Sequence, residues 1–249
     1  MANDKSFFEK YFLLLIYSVF LGLDCYFLYT RNYASRFYSK PILMVLLLLW
    51  FFIKTSFANK AILSNSYMIC FYTYSILLLS LLSDICALWS DIFIWSVCRL
   101  LYIPIYMLYL LLLIEIQHKA EKKIIVHIKR AFPAFGLMFL LAVAVLYKAV
   151  GFGTEYYHWC LYLHAFIICL IVAITSNMWG YRNLENCRIL FAISIVFLVL
   201  TNITFCFDEL YYNRVHRILD VFVALGNGAT VILMLFGVMR VLTKRKKLK

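Results

Sequence analysis

Eight long apolar runs divide the chain, and they constrain its fold more than any other feature. A helix that crosses a membrane needs about 20 mostly apolar residues. Runs of that kind lie near residues 11–29, 41–58, 66–88, 92–115, 132–150, 159–180, 187–207 and 219–240. No polar block large enough for a soluble domain separates them. We therefore expect one integral membrane domain over residues 1–249.

The runs predict helices rather than strands. An open sheet leaves backbone groups unpaired in lipid, and a transmembrane barrel needs alternating apolar and polar residues. The stretch VLLLLW at residues 45–50 does not alternate. The chain is also 65% hydrophobic and 14% charged, whereas soluble domains are about 45–50% apolar and about 25% charged. The predicted fold is an all-α, polytopic membrane bundle of about eight transmembrane helices.

We attribute the net charge of +12 to membrane topology and not to the binding of nucleic acid. Seventeen of the 24 lysine and arginine residues fall on one side of the predicted membrane, six fall on the other, and Arg99 lies inside a helix. Cytoplasmic loops carry such an excess, so we expect both termini in the cytoplasm, of the inner membrane if the source is bacterial. No small-residue cleavage site follows the first apolar run, and we expect it to remain as the first helix.

Metals, cofactors and disulfides are not predicted. The eight cysteines contain no C-x-x-C pair, and nearly all of them lie within apolar runs. Metal sites and disulfide frameworks need clustered spacing, and buried free thiols behave as small apolar groups.

Seven polar side chains fall within the predicted helices at similar depth, in the half of the membrane away from the cytoplasm. Such groups are costly in lipid and mark functional sites by default. They predict a polar pocket that opens on the non-cytoplasmic side. They are Asp24, Asp84, Arg99, His164, Asn202, Asp220 and Asn227.

Each of these residues also has a purely structural interpretation. Asp24 and Asp220 lie near helix ends, where water can solvate them. Arg99 can neutralise a neighbouring carboxylate, and His164 can be a hydrogen-bonded core histidine. Asparagines such as Asn202 and Asn227 often join helices by hydrogen bonds. Asp84 is the hardest of the set to explain in this way.

Three motifs resemble those of the YhhN-like lysoplasmalogenase family. Lys40-Pro41 matches a Lys-Pro start to the second helix, residues 80–84 (SLLSD) match Ser-Leu-Leu-Gly-Asp, and residues 190–194 (LFAIS) match most of Leu-Phe-x-x-Ser-Asp. Ser83 replaces the glycine, and Ile195 stands where the second aspartate belongs. Pro104 and Tyr106 occupy the area where the family has a histidine before a tyrosine.

The resemblance implies hydrolysis of the vinyl ether bond of a lysoplasmalogen, so the implied partner is a membrane lipid or lysophospholipid and not nucleic acid. A carboxylic acid in an apolar site suits protonation of that bond, and Asp84 is the candidate. Asp24 or Asp220 would supply the second acid. Arg99 would hold the phosphate. The other candidates for substrate binding are Lys40, His164, Asn202 and Asn227.

Two other functions remain open. Ile195 favours a non-catalytic lipid-binding or sensory membrane protein of the same fold. A small-solute transporter is less consistent with polar groups confined to one half of the membrane.

Overall fold

The computed structural model describes residues 4–56, 66–88, 92–121, 127–150, 156–208 and 216–244. Within these ranges the protein is all-α. Its eight long helices there are α1 Asp4–Tyr29, α2 Tyr33–Ser56, α3 Tyr67–Cys86, α4 Ile92–Glu121, α5 Ile128–Val150, α6 Tyr156–Asn177, α7 Glu185–Cys206 and α8 Arg217–Lys244. Each is long and apolar enough to cross a membrane, which confirms the predicted multi-pass membrane fold.

The second helix begins at Tyr33, eight residues before the predicted start at residue 41. Asn32 stabilises this start, because its Oδ1 atom accepts a hydrogen bond of 3.2 Å from the backbone N–H of Ser35, which is an N-cap contact. The first two turns carry basic side chains that lower the local hydropathy. The Lys40-Pro41 pair therefore lies inside α2 and not at its beginning. Helices α1, α4 and α8 are also longer than predicted.

Seven of the described helices contact one another in a ring. Helix α2 lies between α1 and α3, α4 joins α3 to α6, α7 joins α6 to α8, and α8 returns to α1. Helix α5 packs mainly against α6 and touches α7. The buried core includes large side chains such as Phe51, Leu113 and Phe191.

A neutral hydrogen-bond network closes one end of the bundle, where α4 and α6 end and α5 begins. Gln117 donates to the backbone oxygen of Ile174 at 2.7 Å, and Asn177 donates to Gln117 Oε1 at 2.7 Å. The backbone N–H of His127 donates to Asn177 Oδ1 at 2.7 Å. The His127 ring lies so close to Gly180 that a Cβ atom there would overlap it. We refer to this region as the closed end.

Helices α7 and α8 pack closely because glycines of α8 face bulky groups of α7. A Cβ atom on Gly226 would overlap the Thr201 hydroxyl group. A Cβ atom on Gly237 would come within 2.8 Å of the Phe191 ring. Small residues let membrane helices approach in this way, so the two glycines set the spacing of the pair.

Candidate functional site

A cavity of about 1290 Å³ lies at the end of the bundle opposite the closed end. Side chains from all eight helices line it, and it reaches the exposed residues Arg31 and Tyr33 between α1 and α2. Its lining extends along α1 to Tyr17. With a rise of about 1.5 Å per residue, Tyr17 lies about 18 Å below Tyr29, at the end of the helix. For comparison, a bilayer core is about 30 Å thick.

Seven of the eight candidate site residues line this one cavity. They are Asp24, Lys40, Asp84, His164, Asn202, Asp220 and Asn227. The side chain of the eighth, Arg99, lies outside the part of the chain that the structure describes. The catalytic and substrate-binding roles of these residues remain predictions. Among the described residues, no three His, Cys, Asp or Glu side chains come together as a metal site requires.

Two buried carboxylates are each held by a cation of α2. Lys40 Nζ lies 3.0 Å from Asp84 Oδ1. Arg36 Nε lies 3.4 Å from Asp24 Oδ1, which also accepts a hydrogen bond of 2.8 Å from Ser39 Oγ. Asp24 is 2% exposed and Asp84 is 8% exposed. A charge at this depth is tolerated only when it is paired, so these contacts explain how both acids fit in an apolar bundle.

The two ion pairs are adjacent because of helix geometry. Arg36 and Lys40 are four residues apart on α2 and therefore share one face. The rise between them is about 6 Å. Asp24 of α1 and Asp84 of α3 approach this face from the two neighbouring helices, so the cavity contains two carboxylates and two cations in one layer.

A second layer consists of neutral polar groups. Tyr106 of α4 donates a hydrogen bond of 3.2 Å to Asn202 Oδ1 of α7. Asn202 in turn donates to the Leu198 backbone oxygen at 2.8 Å. The His164 ring meets the Tyr106 ring edge-on, with 5.7 Å between centroids. These contacts fix Asn202 and place an imidazole on the α6 wall of the cavity.

The Tyr109 side chain links the cavity wall to the closely packed pair α7 and α8. Its hydroxyl group lies 2.9 Å from Ser194 Oγ. Ser194 donates to the Thr230 backbone oxygen at 2.8 Å, and the Thr230 hydroxyl donates to the Gly226 backbone oxygen at 2.8 Å. Because all these groups are paired, this chain of bonds is structural support.

The Tyr17 hydroxyl group differs from those of Tyr106 and Tyr109, the buried tyrosines of the cavity wall whose hydroxyls have partners. Tyr17 is 1% exposed and lines the cavity, yet its hydroxyl has no hydrogen-bond partner in the described part of the chain. The oxygen lies against Gly228, where a Cβ atom would be 2.9 Å away. Buried polar groups are almost always paired, so we expect a molecule that enters the cavity to bond to this hydroxyl.

The sequence pattern did not single out several polar residues of the cavity, among them Tyr17, Arg31, Arg36 and Asp208. The spacing of Arg36 and Lys40 was an available signal, because i and i+4 share a helix face. Arg31 has a φ of 57°, a left-handed conformation that is uncommon outside glycine, and nothing in its local sequence indicates this. Tyr17 resembled its apolar neighbours.

Ile195 lies in the buried core of α7 and is not among the described residues that line the cavity. The position that corresponds to the family's second aspartate is therefore separate from the layer that holds Asp24 and Asp84.

No family model, curated protein or solved structure matches the chain.

Proposed function

We propose that the protein is an integral membrane hydrolase that cleaves the vinyl ether bond of a lysoplasmalogen-type lysophospholipid. The observation that supports this most directly is the Lys40–Asp84 pair, with 3.0 Å between Nζ and Oδ1, in the wall of a deep cavity. At such a pair, the lysine can bind a phosphate group while the neighbouring carboxyl group transfers a proton.

The cavity suits a single-chain amphipathic lipid. Its volume of about 1290 Å³ exceeds the usual range of about 300–1,000 Å³ for small-molecule sites. The basic residues Arg31, Arg36 and Lys40 lie near the mouth, within reach of a phosphate group. Apolar side chains such as Met44, Ile105 and Met234 line other parts of the wall and suit an alkyl chain.

The chemistry follows from the paired charges. Without a ligand, Lys40 and Arg36 neutralise Asp84 and Asp24. When a lipid phosphate binds the two cations, it replaces these carboxylates as their partner. Without its cation, the Asp84 carboxylate takes up a proton from water in the cavity, and as a carboxylic acid it delivers that proton to the β-carbon of the vinyl ether, which gives an oxocarbenium ion. The Asp24 carboxylate stabilises this cation and accepts a proton from the attacking water. The hemiacetal collapses to a fatty aldehyde and the glycerophospho-alcohol. Asp220 is the other candidate for the second role.

Asp84→Asn tests the proposal, because the amide keeps the size of the side chain but cannot donate an acidic proton. We expect aldehyde release from lysoplasmalogen by the purified protein to fall by about 10²–10⁴-fold. Glu115→Gln is the matched control, since Glu115 pairs with Lys119 outside the cavity. Equal activity of wild type and Asp84→Asn would show that Asp84 is not the acid.

A second candidate function is lipid binding without catalysis. Two features favour it: Ile195 replaces the family's second acid, and the buried carboxylates of Asp24 and Asp84 already have cationic partners. Saturable binding of a lysophospholipid without aldehyde release would support this function. Ile195→Asp is not a useful rescue, because the new acid would lie in the core and not in the cavity.

A further inference from the structure

One face of α5 gives the cavity an entirely apolar wall. Five side chains of this helix line the cavity: Met138, Leu141, Ala142, Val145 and Leu146. Their spacing follows a single helical stripe. On another face of the same helix, Leu137 and Leu140 are strongly exposed. Helix α5 therefore separates the cavity from the lipid-facing surface.

A smaller cavity of about 260 Å³ lies between α5 and α6 and continues from this wall. The two cavities share Ala142, Leu146 and Ala165. Other side chains of the smaller cavity, including Phe139 and Phe166, are exposed on the outer surface of the bundle. At this part of the wall, the three shared side chains, two of them alanines, lie between the main cavity and the smaller one.

The two ends of the smaller cavity differ in polarity. Tyr147 and Tyr162 line it near the end of α5 and the start of α6, which is the end where the main cavity opens. Tyrosines are enriched where membrane meets water. Toward the middle of the membrane its lining is apolar and includes Phe139, Phe166 and Cys169.

We infer that the space between α5 and α6 holds the alkyl chain of a single-chain lipid and is the route by which that chain enters from the bilayer. The occupant is a hydrocarbon chain because the space lies within membrane-spanning segments, joins the main cavity and has apolar walls. The charged head group then lies in the layer of Arg36 and Lys40. This inference rests on the proposed lipid ligand, but it does not require hydrolysis.

The test uses a lysophospholipid with a photoreactive group at the end of its alkyl chain, added to the full protein in nanodiscs. Cross-linked peptides are mapped by mass spectrometry, and only labelling that excess unlabelled lysophospholipid removes is counted. We expect this competed labelling at the residues that line the smaller cavity, which are 139, 142, 143, 146 and 147 of α5 and 162, 165, 166 and 169 of α6. Ala165→Trp fills the shared wall and should abolish it. Leu140→Trp, on the exposed face, should not.

Competed labelling confined to α1–α3, or to Leu137 and Leu140, would overturn the inference. So would undiminished labelling between α5 and α6 in an Ala165→Trp protein that melts like wild type. Because the wild-type map needs no variant, the test stands even if Ala165→Trp does not fold. The result is separate from the proposed activity. Labelling between α5 and α6 without aldehyde release would contradict only the hydrolase. Aldehyde release without labelling between α5 and α6 would contradict only the proposed route of the alkyl chain.

Discussion

At the scale of single residues, Lys40 is the side chain whose loss should cost most stability. Lys40→Met leaves the Asp84 carboxylate buried without its cation. Breaking a buried pair on one side typically costs about 3–5 kcal/mol, so we expect a clear fall in the melting temperature in detergent. Asp84→Leu in the Lys40→Met background should restore much of the loss.

Lys119→Met is the matched control for this substitution. Its ion pair with Glu115, 3.2 Å long, joins residues four apart on α4, and the Glu115 side chain is about twice as exposed as that of Asp84. Such pairs contribute about 0.3–0.5 kcal/mol, so its melting temperature should barely change. If Lys40→Met and Lys119→Met behave alike, the Lys40–Asp84 pair is not a buried charge pair in solution.

The unpaired hydroxyl group of Tyr17 predicts a separation between stability and binding. Tyr17→Phe removes no hydrogen bond within the described part of the chain, so the melting temperature without ligand should be unchanged or slightly higher. A hydrogen bond to a bound lipid contributes about 1 kcal/mol, so affinity for lysophospholipid should fall about fivefold. Ligand-dependent melting shifts measure both quantities.

Tyr109→Phe should show the reverse pattern, because its hydroxyl group is bonded to Ser194 and not to a ligand. We expect a loss of about 1 kcal/mol in stability with little change in affinity. Reduced stability and unchanged affinity in Tyr17→Phe would mean that an internal partner holds that hydroxyl.

The candidate site was predictable where charge stands out against an apolar background. Asp24 and Asp84 are visible in this way, and the structure places both on one cavity. Their partners were not predictable, because a hydropathy pattern does not show which helices are neighbours. Tyr17 was missed for another reason. In an apolar run a tyrosine counts as one more aromatic residue, and the structure is needed to show that its hydroxyl group has no partner.

At the scale of elements, the contact of α7 with α8 depends on glycine. Gly226→Ala forces a methyl group into the Thr201 hydroxyl. Overpacking typically costs about 1–3 kcal/mol, and we expect a matching loss in thermal stability. Thr201→Ala should relieve the clash, so the double variant should be more stable than Gly226→Ala alone.

Gly136→Ala on α5 is the control, because a Cβ atom there meets nothing within 4 Å. Alanine favours the helix over glycine, so its stability should be equal or higher. A loss of stability at Gly136 similar to that at Gly226 would show that glycine acts through helix flexibility and not through close packing.

Helix boundaries were less predictable than helix number. The start of α2 was placed too late because Arg36 and Lys40 lower the hydropathy of its first turns, although Asn32 caps the helix before them. The side chains that lower the hydropathy of α2 are the ones that pair with Asp24 and Asp84. Hydropathy alone therefore fails at the part of α2 that forms the site.

At the scale of the whole molecule, the even number of described spanning helices and the distribution of basic residues predict both termini on the same side. Single cysteines in the loop between α4 and α5 and in the C-terminal tail should react with an impermeant thiol reagent only from the cytoplasmic side. A cysteine at Asn32, between α1 and α2, should react only from the other side. The background protein must lack its natural cysteines. Labelling of the loop and the tail from opposite sides would contradict the predicted topology.

The eight spans could be predicted because each is a local property of about 20 residues. The order of helices around the ring could not. It depends on which surfaces fit, as where Gly226 meets Thr201 or Asn177 meets Gln117. Such contacts join residues far apart in sequence and leave no local pattern.

The depth of the cavity has an electrical consequence. The charged layer of Asp24 and Lys40 lies about 8–10 Å from the cavity ends of α1 and α2, and it carries the polar medium of one side that far into the bundle. The insulating layer is thinner there, so a voltage across the membrane falls mainly over the remaining thickness, on the side of the closed end. A full crossing would cost a unit charge about 2.3 kcal/mol per 100 mV. Lys40 and Asp84 lie on the side where the cavity opens, before most of the voltage drop, and remain close to the electrical potential of the solution on that side. Binding of a charged head group should therefore be nearly independent of membrane voltage.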